Sequence, residues 1–280
     1  MLSYLHSFHA GNHADVLKHL VLLGLLDRLA AKDKPLRYID THAGAGGYDL
    51  RSREALQNRE FESGIAKLWG APKPPALVAE LLALVRSYNG DRPTLERYPG
   101  SPWLARARLR EDDSAYLFEL HPAEHRALAQ SCAGDRRVTV QRQDGLEAAI
   151  GLVPPPQRRG LVLVDPSYET KDEHGRVVDT LVKAHRRFAT GVYAIWYPVI
   201  ERRWVDRFER ALRATEIAPM DVYELCVAPD ARGRGLTGSG MIVVNPPWTL
   251  REELAQTLPW VANVLAQGRA RAPRVGELVS

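Results

Sequence analysis

Residues 160–168 read GLVLVDPSY, an apolar run of strand length that ends in an acid, a proline and an aromatic residue. Short runs of branched apolar residues bounded by turn residues are typical of buried strands. A second run, GMIVVNPPW (240–248), ends in the similar tetrapeptide NPPW (245–248). The fold and the position of an active site depend on which edge of a sheet each tetrapeptide occupies.

Further strands and helices follow from the pattern on both sides of these runs. Strands alternate with helical stretches, which predicts an α/β fold with a parallel sheet covered by helices on both faces. Two late strands joined by a glycine-rich loop predict an antiparallel hairpin. The predicted strands are 37–40, 115–120, 137–141, 160–165, 191–196, 220–227 and 240–245, and the predicted helices are 122–131, 144–152, about 177–189 and a first helix capped by Asn12.

An unusually long interval, residues 51–113, separates the first and second predicted strands. That interval contains helical patterns and turn residues of its own, so we interpret it as a helical subdomain inserted into the sheet domain. The sheet domain then comprises residues 1–50 and 114–265, and the polar residues 266–280 are predicted to be a flexible tail.

Composition excludes several classes of protein. The 280 residues are 45% hydrophobic and 26% charged and contain only Cys132 and Cys226, so neither a disulfide framework nor a cysteine-based zinc site is expected. The longest early apolar run, residues 20–26, is too short to cross a bilayer. These features predict a cytoplasmic protein with no membrane partner.

The positive charge of the chain is small in total but clustered. Lys and Arg outnumber Asp and Glu by 38 to 34, and the sequence pI is about 9.1. Arginine dominates the clusters, and its planar guanidinium suits phosphate groups, although a solvated face is the more common explanation of any single cluster. Charge therefore permits a polyanionic partner without requiring one. The clusters lie at 106–110, 134–138, 157–159, 183–187, 201–204 and 231–235.

The first predicted strand leads into a glycine-containing loop, DTHAGAGGY (40–48). Asp49 occupies the last glycine position of the pattern G-x-G-x-x-G, so a pyrophosphate-binding loop is not expected. Asp40 followed by a short glycine loop instead suits S-adenosylmethionine, which carries cationic sulfonium and amino groups. Glu119 and Asp144 follow the next two strands, where carboxylates can accept from ribose hydroxyls and an adenine amine. Taken alone, either acid could equally be a helix N-cap.

The tetrapeptide DPSY (165–168) has the composition of a site that activates an exocyclic amine. The Asp165 carboxylate and the Pro166 carbonyl can accept from both N–H groups, and the carboxylate stabilises the positive charge that develops on the nitrogen during methyl transfer. Tyr168 is predicted to stack on the base. The alternative is a strand that simply ends in an Asp-Pro turn.

The tetrapeptide NPPW (245–248) is interpreted as a structural turn. Ligands of a doubly wound sheet bind outside the carboxyl ends of the parallel strands, whereas an antiparallel strand ends at the opposite edge. The same geometry predicts that the hairpin loop 228–239 lies beside the ligand, where Arg232 and Arg234 could hold phosphate groups.

The first helix and the loop before it concentrate polar side chains. His9 and His13 could share a helical face, but no H-E-x-x-H or comparable ligand set is present, so no metal is expected. We interpret the segment as a cover over a nucleoside pocket. Its polar side chains are Tyr4, His6, His9, His13, Lys18 and His19.

Several of these motifs together resemble the RlmJ family of bacterial large-subunit ribosomal RNA adenine-N6 methyltransferases. The similarity runs from residue 1 to about residue 260. It implies a Rossmann-like S-adenosylmethionine-dependent methyltransferase fold, with a seven-stranded sheet whose last strand is antiparallel and with an inserted helical subdomain. The motifs are SYLHSFHAGNHADVLKH (3–19), DTHAGAGGY (40–48), RYPGSPWLAR (97–106), FELHP (118–122), DG (144–145), DPSY (165–168), FATGVYAIWYP (188–198) and SGMIVVNPPW (239–248).

The resemblance also implies roles for individual residues. Asp165 is implied to be the catalytic acid, with Pro166 and Tyr168 beside it on the substrate side. Ser167 departs from the family pattern, which usually has a second proline there. The implied cofactor contacts are His19, His42, Ser101, Glu119, Asp144, Gly145 and Asp165, and the implied substrate contacts are Tyr4, His6 and Lys18.

The function that these residues and the resemblance predict is methylation of the N6 of one adenine in 23S rRNA, at position 2030 by the resemblance. We expect a monomer that acts on RNA before its assembly with ribosomal proteins. Two alternatives stay open. One is a DNA adenine-N6 methyltransferase, which would share the amine-binding motif, and the other is a catalytically inactive RNA-binding protein.

Overall fold

The computed structural model describes residues 5–90, 92–170, 172–230 and 235–280. Its strands are β1 (Arg37–Asp40), β2 (Gly47–Asp49), β3 (Arg97–Pro99), β4 (Ser114–Phe118), β5 (Val138–Gln141), β6 (Gly160–Val164), β7 (Val192–Val199), β8 (Met220–Cys226), β9 (Gly238–Val244) and β10 (Arg274–Val279). Its helices are α1 (His13–Ala30), α2 (Arg53–Asn58), α3 (Glu60–Ser63), α4 (Ile65–Trp69), α5 (Ala76–Tyr88), α6 (Ser101–Arg106), α7 (Pro122–Ser131), α8 (Gly145–Leu152), α9 (Glu173–Arg187), α10 (Arg202–Arg213) and α11 (Trp248–Leu265).

Within the described ranges, eight strands form the main sheet in the order β10-β8-β9-β7-β6-β1-β4-β5. Strands β5, β4, β1, β6 and β7 are mutually parallel, and β9 runs antiparallel to both β7 and β8. The strand order reverses between β1 and β6, and ligands of such sheets bind in the crevice outside the carboxyl ends at that point. The predicted Rossmann-like architecture and its antiparallel hairpin are confirmed.

Hydrophobic layers cover both faces of the sheet. Side chains alternate along β6, so that Leu161 and Leu163 join the core beneath α1, α5 and α11. Val162 and Val164 join the opposite core, beneath α8, α9 and α10. Helix α1 is buried from His13 through Leu26, because the inserted helices and α11 cover the side that does not face the sheet.

The inserted interval folds as helices, but its hydrophobic core is continuous with that of the sheet domain. Its apolar side chains on α4 and α5, such as Leu68 and Leu81, belong to the same buried cluster as Leu20 of α1. The stretch 53–70 is divided into three short helices, because Arg59 adopts a left-handed conformation and Gly64 a non-helical one. The division of the chain into two domains stays a proposal.

The prediction of a flexible tail at 266–280 is wrong for Arg274–Val279. This segment forms β10, an eighth strand that pairs antiparallel with β8 and extends the predicted seven-stranded sheet. Arg274 pairs with the buried Glu209 at 2.5 Å, and Leu278 is buried against the sheet. Polar composition indicated solvent exposure here, but an unpaired strand edge and a buried carboxylate both bind this segment.

Candidate active site

A cavity of about 450 Å³ opens at the carboxyl ends of β1, β4, β5 and β6. This volume lies within the range of small-molecule sites. The first turn of α1, the 3-10 helix His6–Phe8 and the residues Gly235 and Leu236 close its other sides. The predicted site residues that line the cavity are His6, Lys18, His19, His42, Ser101, Glu119, Asp144, Gly145, Asp165 and Pro166.

Asp165 forms the centre of a buried charge cluster. Its carboxylate lies 2.5 Å from the ammonium of Lys18, which is also 2.8 Å from the carboxylate of Asp15. Asp15 in turn contacts Nε2 of His6 at 2.8 Å and accepts from the N–H of Gly11 at 2.8 Å. Four charged or titratable side chains from three chain segments therefore form one connected network.

The network determines which of these groups carry charge at neutral pH. Burial raises the pKa of Asp165, and Lys18 opposes that rise without cancelling it. Burial also acts to raise the pKa of Asp15, but His6 and Lys18 outweigh it and hold that pKa well below its usual range. Burial acts to lower the pKa of Lys18, yet Asp15 and Asp165 together raise it. Lys18 is therefore a permanent cation between two acids.

The opposite end of the cavity carries the carboxylates predicted to contact a nucleoside. Glu119 accepts from the N–H of Gly44 at 2.9 Å and from the N–H of His121 at 2.7 Å. Asp144 caps α8 with one oxygen and pairs with Arg176 at 2.6 Å through the other. Asp144 is therefore a helix N-cap, as the alternative predicted. For Asp144 also to contact a nucleoside, Arg176 would have to share the oxygen with which it pairs.

Gly145 has a steric requirement that a cofactor role alone would not explain. A Cβ atom at this position would lie 2.1 Å from the carbonyl oxygen of Thr41, which belongs to the loop after β1. Any side chain would therefore separate the ends of β1 and β5 and change the shape of the cavity between them.

Asp40 does not occupy the position that the sequence suggests. Its carboxylate is fully buried, is absent from the cavity lining and accepts from the hydroxyls of Tyr38 and Ser101, each at 2.7 Å. Burial raises the pKa of Asp40 to about 6. Asp40 therefore orients Ser101. The prediction that its carboxylate directly attracts a cationic ligand is wrong.

Tyr168 also lies outside the cavity lining. Its φ of 54° turns the chain so that the ring packs on His174, Trp196 and Phe208, and its hydroxyl donates to the carbonyl of Trp196 at 2.7 Å. This arrangement gives no support to the prediction that the ring stacks on a base. Trp196 lines the cavity instead, and its indole N–H is buried with no hydrogen-bond partner among the described residues.

The second proline tetrapeptide lies at the other end of the sheet. Asn245 follows β9, whose last residue Val244 pairs with Tyr193 near the start of β7. The Asn245 amide donates to the carbonyls of Ala189 and Gly191 at 2.8 and 2.7 Å. Its structural role at the edge away from the cavity agrees with the interpretation from strand direction.

Three predicted residues, Tyr4, Arg232 and Arg234, lie outside the described residues. Across the described part of the chain, no group of three or more His, Cys, Asp or Glu side chains could hold a metal ion. No helix within those ranges is long and apolar enough to cross a membrane.

Sequence reasoning did not identify several residues that shape the cavity. Asp15 could have been found, because it lies three residues before Lys18 on one face of α1. Glu124 lines the cavity with a buried carboxylate oxygen that has no partner in the described structure. Ile200 and Leu120 line it too and are exposed to 48% and 45%. Local patterns gave no signal for these three.

The two histidines in the cavity predict how stability depends on pH. Burial lowers the pKa of His42 to about 4 and of His19 to about 3, from an ordinary value of 6.5. Below pH 6.5 the unfolded chain therefore binds more protons, so stability is full above pH 6.5 and falls as the pH decreases toward 4. We expect His42 to contribute a loss of up to about 3 kcal/mol across this window.

Urea unfolding at a series of pH values measures this loss in the wild type and in His42→Gln. The variant is expected to show a shallower decline of the free energy of unfolding between pH 6.5 and 4. Identical slopes in the two proteins would contradict a neutral, buried His42.

The sheet order, the antiparallel hairpin and a cavity at the strand-order reversal define the Rossmann-like methyltransferase class. A family model described as "Ribosomal RNA large subunit methyltransferase D, RlmJ" matches residues 33–275, and the chain belongs to this family. The resemblance stated from the motifs is confirmed.

Relatives are similar along nearly their whole length. Ribosomal RNA large subunit methyltransferase J from Escherichia coli is 46% identical over 265 residues, covering 95% of this chain and 94% of that protein. The protein of the same name from Haemophilus influenzae is 44% identical with the same coverage. A crystal structure of a Legionella pneumophila protein superposes with a TM-score of 0.87 at 37% identity, covering 95% of this chain and 97% of that one.

Proposed function

We propose that this protein transfers a methyl group from S-adenosylmethionine to the N6 of one adenine in large-subunit ribosomal RNA. The observation that carries the proposal is Asp165, placed directly after β6 in the wall of the cavity and paired with Lys18 at 2.5 Å. The relatives at 46% and 44% identity are named for the same class of reaction.

The residues of the cavity fit S-adenosylmethionine. Glu119 still has oxygen lone pairs available beyond its two backbone N–H bonds, which suits ribose hydroxyls. The unpartnered oxygen of Glu124 marks a second polar position in the same wall. We propose His19, His42, Ser101, Glu119, Asp144, Gly145 and Asp165 as the cofactor contacts. When bound, S-adenosylmethionine supplies an electrophilic methyl group.

Asp165 and Pro166 are the proposed acceptors for the target amine, and both line the cavity. The lone pair of an aromatic amine is delocalised into the ring, so two acceptors on its N–H groups are needed to direct the lone pair toward the methyl group. The Asp165 carboxylate stabilises the positive charge on nitrogen as the new bond forms. Lys18 opposes the rise that burial causes in the pKa of Asp165, and so favours the ionised carboxylate.

The base itself needs an apolar surface to leave its stack in the RNA. Trp196, Pro198, Ile200 and Leu236 provide one along the cavity wall. We propose that Trp196 replaces Tyr168 as the aromatic contact, while the hydroxyl of Tyr168 holds the Trp196 backbone in place. Stacking on an aromatic side chain contributes about 1–3 kcal/mol per base.

Helix α10 is the proposed contact for RNA phosphates. It begins just after Ile200 of the cavity wall, and Arg203, Arg207 and Arg210 lie exposed on one helical face. The guanidinium of Arg207 lies 4.8 Å from the ring centre of Trp204. A row of guanidinium groups beside an aromatic ring is typical of nucleic-acid surfaces.

The double variant Arg207→Glu/Arg210→Glu is expected to raise the KM for RNA at least about tenfold with little change in kcat. The slope of log KM against log salt concentration should also fall by roughly two, one for each phosphate that an arginine no longer neutralises. Arg136→Glu/Arg158→Glu is the matched control, because these exposed arginines precede β5 and β6 at the opposite end of the sheet. Equal effects of both pairs would refute a specific role for α10.

The remaining parts of the proposal concern the form of the substrate and the state of the enzyme. We propose RNA free of ribosomal proteins as the substrate, since the described chain offers no separate RNA-binding module. A monomer and a cytoplasmic location stay predictions.

Tritiated methyl transfer to three substrates tests the proposal, with mass spectrometry of the digested nucleosides. The substrates are unmodified 23S rRNA, assembled large subunits lacking the modification, and duplex DNA. N6-methyladenosine in free rRNA is the expected product. Preferential methylation of DNA, or RNA binding without any transfer, would refute the proposal in favour of one of the two alternatives. Preferential methylation of assembled subunits would refute the proposal that the enzyme acts on RNA free of ribosomal proteins.

A further inference from the structure

We propose that Asp15 is a positioning residue, which divides the Lys18 ammonium between two carboxylates and so leaves Asp165 only partly paired and available to the target amine. The catalytic consequence of this role rests on the proposed function. Its electrostatic part concerns only groups within the free protein, and can be measured without substrate.

The contacts of Asp15 are those of a fixed carboxylate. Its side chain is 1% exposed and lies in the first turn of α1, within 2.8 Å of Nε2 of His6, the N–H of Gly11 and the ammonium of Lys18. Gly11 presents its N–H from a left-handed conformation with φ 77°, which favours glycine. His6 and Gly11 hold one carboxylate oxygen and the Lys18 ammonium lies against the other, so both oxygens of Asp15 have a contact within the cluster.

The Lys18 ammonium of the cluster is shared between two carboxylates. One ammonium faces two carboxylates, so Lys18 cannot neutralise both Asp15 and Asp165. Without Asp15, Lys18 would form an exclusive pair with Asp165, and a fully compensated carboxylate is a weaker acceptor for an incoming amine. With Asp15 present, Lys18 is shared between two acids, so Asp165 keeps part of its negative charge unpaired beside the cavity, where positive charge develops on the adenine nitrogen.

Every titratable or charged group that faces Asp165 has to be considered in the test. Lys18 and His6 act to lower the pKa of Asp165, and Asp15 acts to raise it. Asp40, Tyr38 and Tyr168 sense the charge of Asp165, which raises the pKa of each of them. Of these groups, His6 and Lys18 contact Asp15 directly. Lys18 is the cation whose division is tested, so the response of His6 must be held constant when Asp15 is changed.

The carboxyl titration of Asp165, followed by carbon-13 NMR in the free protein, provides the direct measurement. We compare His6→Gln with His6→Gln/Asp15→Asn, so that only the charge of Asp15 differs. The expected result is a lower pKa of Asp165 in the double variant, because Lys18 then acts on Asp165 alone. An unchanged titration would overturn the proposal, whether or not the protein methylates RNA.

Methyl transfer provides the second readout in the wild type, Asp15→Asn and Asp15→Glu. Asp15→Asn is expected to lower kcat at least roughly tenfold with the KM for RNA within about threefold. Asp15→Glu keeps the charge and is expected to retain more activity than Asp15→Asn. A packing role predicts the reverse order, because Asn matches Asp in size and Glu does not, so that order would overturn the proposal.

Asp113 offers a matched control. It is 3% exposed, accepts from the N–H of Leu36 at 2.8 Å and pairs with Arg110 at 3.0 Å, at the edge of the sheet away from the cavity. Asp113→Asn is expected to change stability with no effect on kcat or on the titration of Asp165. An Asp113→Asn protein with the same loss of kcat as Asp15→Asn would show that the loss of any buried ion pair lowers kcat, and would overturn the role assigned to Asp15. A wild type that transfers no methyl group to RNA refutes the proposed function instead.

Discussion

Asp165→Ala is expected to lower kcat at least roughly 100-fold while the protein remains folded. The loss of rate is of the size found when one charge-stabilising group is removed from a preorganised site. The retained stability follows from the cluster, because Lys18 keeps its 2.8 Å contact with Asp15 when Asp165 is absent. Steady-state kinetics and thermal unfolding of the purified variant measure the two quantities separately.

Asn245→Ala is the control for this prediction, because both residues precede a proline at the end of a buried strand. Its amide donates to two backbone carbonyls at the opposite edge of the sheet, so the variant should lose about 1–2 kcal/mol of stability. It should nevertheless keep most of its kcat. Equal losses of kcat in the two variants would refute the assignment of chemistry to the β6 end.

Lys18→Met, unlike Asp165→Ala, is expected to destabilise the protein. It leaves the buried Asp15 and the Asp165 carboxylate, which is 14% exposed, without their shared cation, and removing one partner of a buried ion pair costs about 3–5 kcal/mol. The lost cation also raises the pKa of Asp165 further, so any residual activity should require a higher pH than in the wild type.

Urea unfolding and a kcat profile against pH test this second prediction. The double variant Lys18→Met/Asp15→Asn is the informative comparison, because it removes one of the two unpaired charges and should recover part of the lost stability. A Lys18→Met protein as stable as the wild type, with an unshifted profile, would contradict the buried cluster.

Much of the fold could be predicted from local patterns. The first helix begins at His13, because the side chain of Asn12 accepts from the N–H groups of Ala14 and Asp15, and such caps are visible in sequence. The apolar run of β6 and the hairpin of β8 and β9 were likewise predicted within one or two residues. The strand β10 was not, because its sequence is too polar to indicate a strand and its stability comes from pairing with β8.

Only part of the candidate site could be predicted from local patterns. Glu119, Asp144 and Asp165 follow strands, and strand direction alone gathers them at one edge of the sheet. Tyr168 was predicted to lie beside the base, but its left-handed conformation, which the sequence does not signal, turns its ring toward His174, Trp196 and Phe208. Asp40 was assigned to the cavity for its position after β1, although Tyr38 and Ser101 occupy its carboxylate.

The order of strands and helices, the hairpin, the edge that carries the cavity and the family were all determined by the amino-acid sequence, because caps, periodicity and motifs are local properties. Only the tertiary structure decided that Lys18 stands between Asp15 and Asp165, 147 residues away from the latter. Such a contact depends on how distant segments pack together around buried groups, where electrostatic interactions are strong and each charge depends on its neighbours.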